Sequence, residues 1–202
     1  MEISYERLQR QIRFVLEIDK MKSVYRKNIL VDKSRNETDA EHSWHMAVCA
    51  MLLAEYAPEG TDISHALRLC VCHDLIEVYA GDTFAFDAAA NVGKLEREKK
   101  AADELFAILP DDQRAEFRAY WDEFEEGKTK ESLFANAMDR FQPFMLNLST
   151  GGHTWKLCDA TRAMVEKRLN PVKVAMPSIW PFIEEELDRY EERGYIAHNP
   201  KE

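Results

Sequence analysis

Apolar residues recur at three- and four-residue intervals along most of the chain, the spacing that lines one face of an α-helix. Leu8, Ile12, Val15 and Leu16 mark a first helix from about Tyr5 to Lys22. A second begins at Thr38, where Thr38-Asp39-Ala40-Glu41 has the form of a capping box, and runs through Met46, Ala50, Leu53 and Ala54 to Pro58. A third opens near Asp62 or Ser64, carries the apolar stretch Leu67 to Val78, and ends around Ala80-Gly81. Lys94 to Leu109 and Asp111 to Glu126 read as charged, amphipathic outer helices closed by Pro110 and Gly127. Thr129 can cap a central helix, Lys130 to about Leu148, whose apolar positions include Leu133, Phe134, Met138, Phe141 and Met145. Pro143 cannot donate to the carbonyl of Asp139, so a bend is expected there, either freeing that oxygen for a site or serving packing alone. Gly151-Gly152-His153 reads as a loop, Asp159 to Leu169 as a short helix, and Ser178 to Arg193 as a last helix with Pro181 in its first turn. No segment reads as a strand, and neither a repeat nor a linker divides the chain. The predicted fold is an all-α, single-domain helical bundle over residues 1–202.

Composition agrees with this and narrows the partners. With 46% hydrophobic residues, 32% charged residues and only 7 Gly and 7 Pro, the chain has the balance of a soluble helical protein. A net charge of −10 argues against a nucleic-acid duplex, which requires a basic face. The N-terminus lacks the basic start and apolar run of a secretory signal, and no stretch has the ~18 uninterrupted apolar residues of a membrane span. A cytoplasmic protein without a membrane partner is expected. Cys49, Cys70, Cys72 and Cys158 form no CxxC pair and read as buried, reduced thiols. One segment runs against the overall charge: Lys20, Lys22, Arg26, Lys27, Lys33 and Arg35 face only Asp32. It is either a solvated basic loop or a place for a small anion.

Within the third helix, His73-Asp74 interrupts an apolar run. An imidazole and a carboxylate there are costly to desolvate unless something compensates them, and a divalent ion would compensate both. His42, His73, Asp74 and Asp139 are drawn from three predicted helices, each apolar enough to face the core. Singly, each reads as hydrogen-bonded structure. Together they suit one divalent ion, Mn²⁺, Co²⁺, Fe²⁺, Zn²⁺ or Mg²⁺, with positions left for water and substrate. Glu77 is an i,i+3 neighbour of Asp74 and an i,i+4 neighbour of His73, so one helix can turn it toward the same cavity, or it makes a helix-end salt bridge.

These residues reproduce, in order, the H…HD…D signature of the HD-domain metal-dependent phosphohydrolases. The strings Asp39-Ala40-Glu41-His42-Ser43-Trp44-His45, His73 to Thr83, and Ala137-Met138-Asp139-Arg140-Phe141-Gln142-Pro143 resemble the subgroup related to bacterial 5′-deoxynucleotidases. The resemblance implies an all-α fold with one metal held by His42, His73, Asp74 and Asp139, and Glu77 acting near the attacking water. It implies further that Asp82 contacts the sugar 3′-hydroxyl and that Arg35, which precedes the EHS motif, serves the phosphate. A second phosphate-binding arginine lies further upstream in these enzymes. The interval from Arg26 to Arg35 is longer here, so Arg26, Lys20 and Lys22 compete for that role, with arginine favoured by its planar fork.

The implied activity is hydrolysis of a (deoxy)ribonucleoside 5′-monophosphate. The rivals are a nucleoside triphosphate or cyclic-nucleotide phosphohydrolase and a catalytically weak nucleotide-binding protein. No histidine lies between His73 and Asp139 to build a second metal site. His45 and Trp44 read as packing or outer-layer residues, His65 and His198 as surface residues, and His153 as a loop residue. Trp121, Phe124, Trp155 and Trp180 either complete the core or cover an interface, and similar proteins are often homodimers.

Overall fold

In the computed structural model, which describes residues 4–87, 89 and 91–198, the chain is predominantly helical. Helix α1 (Tyr5–Ile18) starts on Ser4, whose hydroxyl accepts from the Arg7 N–H, and passes into a tight 3-10 turn, Asp19–Ser23. A short antiparallel hairpin follows, β1 (Tyr25–Ile29) with β2 (Asn36–Thr38). Then come α2 (Asp39–Leu52), α3 (Ile63–Cys72), α4 (Glu77–Ala80), α5 (Lys94–Phe106), α6 (Asp111–Glu126) and α7 (Lys130–Thr150). The chain ends with α8 (His153–Leu157), α9 (Arg162–Ala175) and α10 (Trp180–Glu192).

The caps explain several boundaries. The Thr38 hydroxyl accepts from the Glu41 N–H while the Glu41 carboxylate accepts from the Thr38 N–H, closing a reciprocal box at the start of α2. Thr129 and Ser132 form the equivalent box on α7. That helix runs unbroken through Pro143 and is buried at Phe134, Ala135, Ala137, Met138, Phe141, Phe144 and Leu146. It packs against α2, α3, α6 and α9, which makes it the central element. One core cluster gathers α2, α3, α7, α9 and α10 around Met46, Leu69, Phe134, Met138, Leu169 and Ile183. The second joins Phe14, Met21, Cys72, Leu75 and Ile76 to Ala102, Leu105 and Phe106. Trp121, Phe124, Trp155 and Trp180 are all buried within the chain.

Four expectations change. The hairpin was missed because its strands do not alternate apolar with polar: the half-buried position after Tyr25 is Arg26. The third helix is not continuous. It stops at Cys72, and residues 73–76 form a turn before α4. The imidazole Nδ1 of His73 donates to Cys70 O at 2.9 Å, taking the carbonyl that Asp74 N–H would reach in a continuing helix. Short-range bonds then take over, such as Glu77 N–H to Asp74 O at 2.9 Å. This turn lies where the chain crosses from the first core cluster, at Leu69 and Cys70, to the second, at Cys72, Leu75 and Ile76. Third, His153 begins a short helix, and the helix expected to end at Leu169 starts at Arg162 and extends to Ala175. Finally, the apolar residues that signalled α1 do not enter the core: Leu8, Ile12, Val15 and Leu16 are exposed, and only Phe14 is buried.

Candidate metal centre and its cavity

Three elements bring the candidate ligands together. Helix α2 supplies His42 one turn after its capping box, the turn after α3 supplies His73 and Asp74, and α7 supplies Asp139. One donor atom from each of His42, His73 and Asp139 lies within 4.8 Å of the others, and all three residues are buried. Nε2 of His42 is 3.0 Å from Asp139 Oδ1 and 3.9 Å from Asp74 Oδ2. Nε2 of His73 is 3.1 Å from Asp74 Oδ2 and 3.7 Å from Asp139 Oδ1. The sequence-predicted quartet is therefore a spatial cluster.

The surroundings fix what the two imidazoles present. Gln142 lies one turn beyond Asp139 on α7; its Oε1 accepts from His42 Nδ1 at 2.9 Å, and its Nε2 donates to Glu37 Oε1 at 2.7 Å. The reversed amide would set an oxygen against the Glu37 carboxylate, so this orientation is the consistent one. Both histidines thus carry the proton on Nδ1 and direct an Nε2 lone pair inward. Nε2 of His73 is buried without a hydrogen-bond partner. Burial, aided by the Arg26 charge, pushes the pKa of His42 well down, keeping it neutral. Inward lone pairs, carboxylate oxygens beside them and hydrogen-bonded outer nitrogens form the donor set of a divalent metal site, and the residues present fit such an ion.

Arg26 answers the carboxylates from the other side. Its Nη1 lies 2.8 Å from Asp74 Oδ2, 3.2 Å from Asp39 Oδ1 and 3.7 Å from Asp82 Oδ1, and its Nε is 4.0 Å from Glu37 Oε2. Burial opposes ionisation of Asp74, but the positive charge facing it, that of Arg26 included, holds the carboxylate low. The neighbouring carboxyls go the other way. Burial raises Glu37 to about 7 and, with the help of Asp74, Asp39 to about 8. Burial, then Asp74 and Asp39, raises Glu77 to about 10, and its Oε2 has no partner.

A cavity of about 160 Å³ opens beside this cluster and is lined by His73, Asp74 and Asp139 together with Glu77, Arg26 and Asp82. Lys20, Lys22 and Arg35 do not line it. Lys20 pairs with Glu17, Lys22 with Asp19, and Arg35 grips the Glu41 carboxylate that closes the α2 capping box. Those three cations belong to exposed ion pairs, whereas the hairpin turns Arg26 inward.

Several residues of the site escaped the sequence reading. Glu37 and Gln142 orient His42, and Asp39 shares Arg26. Gln142 could have been found, since it is an i+3 neighbour of Asp139. Arg140 and Arg168 also line the cavity. Arg140 pairs with the Oδ2 of its neighbour Asp139. His45, by contrast, takes the outer-layer place expected of it, with Nδ1 3.0 Å from Gln142 Nε2.

Comparison with known proteins identifies the family and the fold. A family model described as the HD domain matches residues 18–180. A crystal structure from Magnetospirillum magnetotacticum, described as a predicted metal-dependent phosphohydrolase, is 45% identical and superposes with a TM-score of 0.91, covering 97% of this chain and 100% of its own. A conserved hypothetical protein from Pyrococcus furiosus shares the fold at 21% identity, with a TM-score of 0.58 over 90% of this chain and 99% of its own. An HD-domain phosphohydrolase from Listeria innocua does so at 14% identity, with a TM-score of 0.60 over 91% of this chain and 86% of its own. No curated protein matches the chain.

Proposed function

The chain belongs to the HD-domain family, and from that membership we propose that it is a metal-dependent phosphohydrolase that removes the 5′-phosphate of nucleoside monophosphates, deoxyribonucleotides first among them. The observation that carries this reading is the convergence of His42, His73 and Asp139, with Asp74 beside them, next to a cavity lined by His73, Asp74, Asp139, Glu77 and several cations.

A divalent ion held by these four side chains supplies a Lewis acid and an acidified water. The protein's own residues do the rest. Gln142 and Cys70 O hold the two imidazoles in the tautomer that keeps Nε2 available. Glu77 is buried, lines the cavity and has an Oε2 without a hydrogen-bond partner, which suits it to orient the attacking water and accept its proton. The carboxylates that raise its pKa in the bare protein are the ones a divalent charge would offset, bringing Glu77 back toward the ionised state that a base requires. Asp82, set against Arg26 just beyond Gly81, is placed to accept a hydrogen bond from a sugar hydroxyl. The products are a nucleoside and inorganic phosphate.

The test is phosphate release from a panel of ribo- and deoxyribonucleotides with Mn²⁺, Co²⁺ or Mg²⁺ added. Turnover of monophosphates supports the reading. Release of tripolyphosphate, or opening of a cyclic nucleotide without monophosphate turnover, reassigns the substrate, and no turnover of any of these refutes it.

A further inference from the structure

The cations around the cavity differ in how far their charge is already answered. Arg26 faces four carboxylates within 4.0 Å. Lys94 lies 3.0 Å from Glu98, and Arg140 is engaged with Asp139, itself a candidate ligand. Lys27 lines the cavity without an ion pair but is exposed, which makes Arg168 the inward exception: among the described residues its guanidinium makes neither a hydrogen bond nor an ion pair.

The fold brings Arg168 to the cavity deliberately. Val165, Leu169 and Val172 form the buried face of α9 and pack it against α7, the helix that carries Asp139 and Arg140. Arg168 stands between Val165 and Leu169 on that face, and all three line the cavity. A partner-free guanidinium held against an apolar helix face is costly, because burial disfavours the charge. Burial, then the nearby Arg26, pushes Arg168 down to about 10, and burial followed by Arg168 and Arg26 lowers Arg140. Three guanidiniums close enough to repel one another, one of them drawn to Asp74 and Asp82 only from beyond ion-pair distance, leave an opening for an anion. Asp74 and Asp82 lie against Arg26 and Asp139 lies against Arg140, so the site's carboxylates are paired with those two cations and the Arg168 guanidinium is left for an anion.

We propose that Arg168, flanked by Arg140, is the oxyanion clamp of this site, holding the non-bridging oxygens of a phosphate group beside the metal ligands. This rests on the phosphohydrolase reading and deepens it: it moves the phosphate contact from the hairpin cations to α9 and leaves Arg26 as the counter-ion of Asp74, Asp39 and Asp82. The same chemistry suits a phosphate ester and the free phosphate that hydrolysis releases. A planar fork that donates two hydrogen bonds to one phosphate distinguishes arginine from lysine here.

The experiment uses the full chain loaded with Mn²⁺ and titrated calorimetrically with inorganic phosphate, in wild type and in Arg168→Gln and Arg168→Lys. The expected result is phosphate affinity weakened about 10- to 100-fold in Arg168→Gln and less in Arg168→Lys, with Mn²⁺ affinity unchanged. With whichever nucleotide is turned over, KM rises by a similar factor and kcat falls less. If Arg168→Gln does not fold, Arg168→Lys carries the test through its KM and phosphate affinity at an unchanged melting temperature. Phosphate affinity within twofold of wild type in a folded variant overturns the clamp, and so does a wild type that binds no phosphate at about 10 mM. Should the wild type hydrolyse no nucleotide yet bind phosphate through Arg168, the proposed activity falls and the anion site stands.

Discussion

Nε2 of His42 lies 3.0 Å from Oδ1 of Asp139, and the ring proton of that histidine is on the opposite nitrogen, donated to Gln142. A bare lone pair aimed at a carboxylate oxygen is a repulsive arrangement until a cation sits between them, so the two residues are specified by the ion they would share. Asp139→Asn keeps the volume and removes the charge. It is expected to lower bound divalent metal and phosphate release together by about 100-fold or more, since outer-layer partners alone change affinity 10–100-fold. Elemental analysis after dialysis and the nucleotide assay check both, and full metal content in a folded variant would remove Asp139 from the site.

Gln142 tests the outer layer. Replacing it with leucine leaves His42 Nδ1 and Glu37 Oε1 without their partner in a buried place. Metal affinity should fall about 10- to 100-fold, with activity restored at higher metal concentration. Activity that metal cannot restore would mean that Gln142 acts on something other than His42.

Glu77 separates proton handling from metal holding. Its Oε2 is buried and partnerless, and Glu77→Gln keeps the shape while removing the titrating group. Turnover should fall by about 10²–10⁴-fold, the usual contribution of a positioned acid or base, while metal content stays at wild type. An active Glu77→Gln enzyme would return Glu77 to a structural role.

What was legible in the sequence follows from contrast. His42, His73, Asp74 and Asp139 stood out because each is a costly polar side chain in an apolar helical run, and the helical period placed them on inward faces. The start of α2 and the boundaries of α6 and α7 were legible because caps and glycines carry their own chemistry, whereas α2 stops at Leu52, short of the Pro58 expected. Arg168 was hidden for the opposite reason. Its neighbours Glu166, Lys167 and Asn170 make α9 look like a solvated face, and only the packing of Val165 and Leu169 against α7 turns it inward. Lys20, Lys22 and Arg35 have the same charge as Arg26 and the same local surroundings in sequence, yet a hairpin that no hydrophobic alternation announced decides which cation reaches the carboxylates.

The start of α2 gives a stability prediction independent of chemistry. Thr38→Ala removes the hydroxyl that accepts from Glu41 N–H, while Arg35 still holds the Glu41 carboxylate. A loss of about 1 kcal/mol is expected, which lowers the melting temperature by about 2–4 °C in a chain of this size. Circular dichroism melts measure it. A shift far beyond that would show that the box also sets the position of His42 one turn later.

The carboxyl cluster makes the stability of the metal-free protein depend on pH in a defined direction. Glu37, at about 7, and Asp39, at about 8, are raised above their ordinary values, first by burial. A raised carboxyl pKa means that the folded state binds the proton more tightly than the unfolded chain. The stabilisation is complete below the ordinary carboxylate range and is lost as pH rises through the folded value. Between pH 6 and pH 8.5 these groups ionise beside Asp74 and Asp82, with Arg26 as the shared counter-ion. In chelator the melting temperature should therefore fall across this interval. A divalent ion at His42, His73, Asp74 and Asp139 supplies the missing positive charge, so with Mn²⁺ the same interval should show a flatter profile and a higher melting temperature at its upper end. Melts recorded at both pH values, with and without metal, decide the matter, and parallel profiles in the two conditions would mean that the ion binds elsewhere.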